Sequence, residues 1–80
     1  MPTTEEIRRR IEQALPGASA SVTDLTGGGD HLRAEVAYEG FAGLSRIEQH
    51  KLVYDVFGNE IGGAIHALSL KTSTPNGSSR

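Results

Sequence analysis

His31-Leu32-Arg33-Ala34-Glu35-Val36-Ala37-Tyr38 alternates without a break. Leu32, Ala34, Val36 and Tyr38 fall to one side of an extended chain, and His31, Arg33, Glu35 and the following Glu39 to the other. A period of two belongs to a strand with one buried and one wet face, so this segment fixes the centre of a sheet. Immediately before it, Gly27-Gly28-Gly29-Asp30 reads as a mobile hairpin loop, and Ala18 to Leu25, with Ala18, Ala20 and Val22 on one side, reads as a weaker strand paired through that loop.

Working outward from the hairpin, each flank begins with a helix signal. Thr3 with Glu6 three residues on is a capping-box pattern, and Ile7, Ile11, Ala14 and Leu15 follow at helical spacing, which predicts a helix from about Thr4 to Leu15 ended by Pro16-Gly17. Ser45 and Glu48 repeat the pattern after the connector Gly40-Phe41-Ala42-Gly43-Leu44. The second helix runs to about Phe57, where Gly58-Asn59 stops it. At 100° per residue its apolar arc gathers Ile47, His50, Val53, Tyr54 and Phe57 against an opposite side of Glu48, Lys51 and Asp55. A turn through Glu60 to Gly63 leads to a third strand, Ala64 to Thr72, with His66, Leu68 and Leu70 on one face. The expected fold is α+β, in the order α-β-β-α-β, with both helices on one face of a three-stranded sheet. Residues 1–72 form its single domain. Residues 73–80, which hold Pro75, Asn76 and Gly77 but no apolar anchor, are expected as a disordered tail.

Composition narrows the function. The 80 residues contain no cysteine, which excludes disulfides, a cysteine nucleophile, a Cys-ligated zinc site and an iron–sulfur cluster held by thiolates of the chain itself. Soft-metal chemistry would need borrowed sulfur. A net charge of −2 argues against broad nucleic-acid binding, and Arg8-Arg9-Arg10, balanced by Glu5, Glu6 and Glu12, reads as a solvated helix face. No apolar run is long enough to span a membrane, and Met1 to Glu6 has no basic segment leading into an apolar one, so a cytoplasmic protein is expected.

Few motifs carry chemistry. The glycine triplet lacks the Gly-Lys-Ser/Thr close of a phosphate-binding loop. Gly40-Phe41-Ala42-Gly43 fits the Gly-x-x-Gly spacing with which KH domains clamp single strands. With ten glycines about one such spacing arises by chance, and Phe41 and Ala42 lack positive charge. Arg46 and Lys51, farther along, leave a modest basic site as the nucleic-acid alternative. No Ser/His/Asp set or carboxylate pair stands out, so no enzyme is expected. Of the three histidines, His50 lies on an apolar stripe and reads as a packed residue. His31 opens the second strand on its wet face, and His66 begins the third.

The runs Phe41-x-Gly43-x-Ser45-Arg46, Gln49-His50-Lys51-Leu52-Val53-Tyr54 and Ile65-His66-Ala67-Leu68-Ser69-Leu70-Lys71-Thr72 resemble the BolA-like family, as does Asp30-His31-Leu32 at the second strand. The likeness runs from about Thr4 to Pro75 with the order of elements unchanged. It implies a KH-like fold of the second type with a mixed sheet. It also implies partnership with a monothiol glutaredoxin and a shared [2Fe-2S] cluster, in which a glutaredoxin cysteine and glutathione bind from one side. The family's histidine in the last strand matches His66, and the second ligand, from the first hairpin, can here be only His31. The implied role is a non-enzymatic accessory in iron–sulfur trafficking or iron sensing with a stress-response character, and a homodimer is compatible with it. Imidazole in place of thiolate raises the potential of a cluster and makes its ligand set sensitive to protonation. Many members continue into a further helix after the last strand, which Asn76-Gly77-Ser78-Ser79-Arg80 cannot build.

Overall fold

The computed structural model describes residues 3–29, 31–63, 65 and 67–75. Its elements are α1 (Thr4–Ala14), β1 (Ser19–Asp24), β2 (His31–Ala37), a 3-10 turn (Glu39–Phe41), α2 (Arg46–Phe57), a second 3-10 turn (Gly58–Glu60) and β3 (Ala67–Ser73). β2 is the central strand, antiparallel to β1 and parallel to β3. The expected α+β order and mixed three-stranded sheet are therefore present.

Both helix starts are built as the sequence dictates. Thr3 Oγ1 accepts the Glu6 N–H at 3.1 Å while Glu6 Oε1 accepts the Thr3 N–H at 3.4 Å. Ser45 and Glu48 do the same at 3.2 and 2.9 Å, satisfying donors that a helix N-terminus leaves without partners. Hydrogen bonding by Ser45, its backbone N–H foremost, holds the Glu48 carboxyl below its ordinary pKa. Gly58, at φ +56°, ends α2 in a conformation that side chains other than glycine rarely adopt.

The core lies between the helices and one face of the sheet. Ile7, Ile11 and Leu15 from α1 and Val53 and Phe57 from α2 close over Ala20, Leu32, Ala34, Val36 and Leu68, with Phe41 and Ile65 filling the ends. Phe41 is fully buried, which contributes about 1.5 to 3 kcal/mol. The other sheet face stays wet: Ser19, Ser21, Thr23, Arg33, Glu35, Ser69 and Lys71 are exposed. The Tyr54 hydroxyl donates to the Leu68 carbonyl at 2.9 Å and ties α2 to β3.

The outward face of α2 differs from the expected one. Ile47 is 81% exposed, and Gln49, a polar residue, is buried with Val53 and Phe57. The buried face is thus centred near Val53, rotated by about 60° from the arc that hydropathy alone selects. The cause is a satisfied amide. Gln49 Nε2 donates to the carbonyls of Leu44 at 3.0 Å and Phe41 at 3.3 Å, and its Oε1 accepts from Thr72 Oγ1 at 2.6 Å.

The end of the domain also shifts. β3 continues through Ser73, which pairs with Ala37 and accepts the Tyr38 N–H at 3.0 Å, so the ordered strand passes the expected limit at Thr72. Thr74 is half-buried. The rest of the expected tail, Asn76 to Arg80, and the expected strand residues Ala64 and His66 lie outside the described residues.

Candidate functional site

The candidate ligand His31 is the first residue of β2, exposed at the end of the sheet where the β1–β2 hairpin turns. Its carbonyl accepts the Leu25 N–H at 2.8 Å, one step beyond the last ladder pair Asp24↔Leu32. The glycine-rich loop, expected to be mobile, is organised around one side chain. Asp24 Oδ1 accepts the N–H groups of Gly27 at 2.9 Å and Thr26 at 3.3 Å, and Oδ2 accepts that of Gly29 at 2.9 Å. Thr26 Oγ1 takes the Gly28 N–H at 3.4 Å. Gly27 and Gly29 have φ values of +82° and +79°, which lets consecutive amides turn inward onto one carboxylate. Leu25, 46% exposed, adds an apolar contact surface beside His31.

The neighbouring strand enters at the same end, because β2 and β3 are parallel. His31 is the Cα partner of Ala67, the residue that follows His66 in the chain. His66 itself lies outside the described residues. The connection that leads to it is held in place on both sides. Ile65 is buried, bridges to Ile61 and donates its N–H to the Glu60 carbonyl at 2.8 Å. Arg10 of α1 donates to Glu60 Oε1 at 2.8 Å and Oε2 at 2.5 Å and stacks 4.8 Å above the Phe57 ring. That hydrogen-bonded guanidinium holds the Glu60 carboxyl below its ordinary range.

The residues of the nucleic-acid alternative do not converge. Arg46 and Lys51 are both exposed and, among the described residues, neither forms an ion pair. Five helical positions turn through about 140°, so the two cations leave α2 on different sides. His50, expected to be packed, is half-buried, and its ring makes no hydrogen bond among the described residues. Two further residues matter here, Gln49 and Asp24. Gln49 escapes any hydropathy pattern because its partners are carbonyls supplied by a distant connector. Asp24 had a usable signal: Asp ahead of a glycine run is the side chain that bonds backbone amides two or more residues on.

Among the described residues no three His, Cys, Asp or Glu side chains come together as a metal cage. No helix among the described residues is long and apolar enough to cross a membrane.

Comparison with known proteins agrees with this architecture. The family model described as BolA-like protein matches residues 7–77. The uncharacterized protein RP812 of Rickettsia prowazekii is 34% identical over 70 residues, covering 88% of this chain and 91% of its own length. BolA-like protein 1 of Homo sapiens is 32% identical over 92% of this chain, which spans 59% of that longer protein. The solved structure of a bolA protein homologue from Coxiella burnetii superimposes with a TM-score of 0.81 at 38% identity over 95% of both chains. With residues 7–77 matching the family model and the fold superimposing on that homologue, the chain belongs to the BolA-like family.

Proposed function

We propose that the protein is a non-enzymatic accessory of iron–sulfur trafficking or iron sensing that pairs with a monothiol glutaredoxin and shares a [2Fe-2S] cluster with it. His31 and His66 are the protein's ligands to one iron, and the glutaredoxin cysteine and a glutathione thiol supply the sulfur that this chain lacks. The observation that carries the reading is the first rung of the parallel ladder: exposed His31 stands beside Ala67, the residue that follows His66 in the sequence. Exposed Leu25 next to it offers a partner a dry contact. The cluster is cargo held between two proteins, and this chain's part is to present imidazole lone pairs from a rigid edge.

Reconstitution with a monothiol glutaredoxin, glutathione, iron and sulfide tests it. The complex should give a visible spectrum distinct from that of the glutaredoxin alone, because imidazole replaces thiolate on one iron. His66→Ala should abolish that mixed-ligand spectrum, and His31→Ala should shorten the cluster's lifetime. Cluster-free pairing should survive both changes, since surface contacts do not depend on the metal. A folded double variant with the parental spectrum and lifetime would remove the ligand assignment. The nucleic-acid alternative through Arg46 and Lys51 has less support, because the two cations diverge and the net charge is −2. A salt-sensitive oligonucleotide affinity lost in Arg46→Ala and Lys51→Ala would restore it.

A further inference from the structure

We infer that Asp24 is the positioning residue for His31: its carboxylate, by gathering the Gly27 and Gly29 amides, fixes the hairpin from which His31 is presented to a metal held by a partner. The inference rests on the reading of His31 as a ligand. His31 lies one step beyond the last β1–β2 ladder pair, Asp24↔Leu32, held there on the β1 side by the Leu25 N–H. Terminal rungs fray unless something beyond them is ordered. Three consecutive glycines are the worst segment for that purpose, because glycine loses more conformational freedom on ordering than any other residue.

Asp24 supplies the compensation. It is the half-buried final residue of β1, and its two oxygens take amides from both halves of the loop, Thr26 and Gly27 on one and Gly29 on the other. Hydrogen bonds to an ionised carboxylate are about twice as strong as neutral ones. A loop that would sample many shapes is thereby drawn onto the end of the sheet, and the chain re-enters β2 at His31 in one register. Metal affinity is sensitive to such supporting contacts, since a ligand displaced by an ångström must be brought back before it binds.

The test uses the full chain in four forms: parent, Asp24→Ala, Asp24→Asn and His31→Ala, with the double variant Asp24→Ala/His31→Ala closing a cycle. In the free protein, amide exchange at Gly27 and Gly29 should quicken roughly tenfold in Asp24→Ala, the factor for losing a charge-assisted hydrogen bond. Asp24→Asn keeps one carbonyl acceptor and should fall between. In the complex with a monothiol glutaredoxin, Asp24→Ala should shorten cluster lifetime severalfold, with Asp24→Asn again between. The double variant should be no worse than His31→Ala alone, because Asp24 acts through that residue. Thr3→Ala, which removes a helix cap far from the hairpin, should lower Tm without changing cluster lifetime, which separates positioning from general destabilisation. The inference is overturned if His31→Ala makes the cluster labile while folded Asp24→Ala keeps the parental lifetime, or if the two losses simply multiply. If His31→Ala leaves the cluster unchanged, the ligand reading falls first and this inference with it, whatever the loop amides do.

Discussion

Gln49 and Asp24 do the same kind of work at opposite levels of the molecule. Each is a single polar side chain that gathers backbone groups from a segment with no regular structure of its own. Gln49 does so in the interior, joining the connector carbonyls of Phe41 and Leu44 to Thr72 of β3, and it is 7% exposed. Asp24 does so at the rim, where water competes for every amide it holds. Interior polar groups are costly to leave unpaired, so the Gln49 network is bound to the stability of the whole fold. The rim network can be lost locally, which is why it can govern a site without governing the domain.

The largest expected effect separates the two most sharply. Gln49→Ala strands two carbonyls and a hydroxyl and opens a cavity, and should cost about 2 to 4 kcal/mol in denaturant unfolding. The hairpin amides should keep their protection relative to global unfolding. A loss below about 0.5 kcal/mol would mean that water replaces the amide there and that the interior network has no special weight.

A smaller effect is expected from the same connector. A Cβ at Gly40 would stand 2.4 Å from Tyr38 Cε2, inside any permitted contact. Tyr38 packs edge-on to Phe41 with ring centroids 5.2 Å apart, so Gly40→Ala must displace that ring. The ring can swing outward, which limits the cost to about 1 to 2 kcal/mol. Recovery of stability in Gly40→Ala/Tyr38→Ala relative to the sum of the single changes would identify the clash as the cause.

The smallest effect lies among exposed carboxylates. Glu5, Glu48 and Glu60 are held below their ordinary range, the first by Arg8, the second by Ser45 and the third by Arg10. A folded-state pKa below the unfolded one gives stability that is present above the unfolded value and lost as pH falls through the folded value. Tm should therefore be level above about pH 5 and decline below it. A flat profile across that range would show that these surface pairs contribute nothing measurable, the usual fate of exposed ion pairs.

Most of the fold was legible because its signals are local. Two capping boxes, the strict alternation from His31 and the stop at Gly58 each involve residues close in sequence, and each forms as read. Ile47 was misjudged because hydropathy cannot see that a Gln with three partners is a better interior residue than an Ile with no cavity to enter. The strand end at Ser73 depends on a carbonyl finding the Tyr38 amide across the sheet, which no local pattern announces. At the candidate site, His31 was placed correctly at the head of its strand. The order imposed by Asp24 is announced only by an Asp ahead of a glycine run, a signal the glycines themselves outweigh, and His66 lies outside the described residues.

The parallel pairing of β2 with β3 also sets when the site can exist during folding. The hairpin of β1 and β2 closes over a short loop and can form early, whereas the rung joining His31 to Ala67 waits for α2 and both its connectors to be in place. A chain still emerging from the ribosome, with β3 not yet made, has His31 with only the β1 side of the hairpin beside it. On the proposed function, the histidine pair is thereby completed only when β3 docks on β2, so a chain without that strand does not compete for cargo.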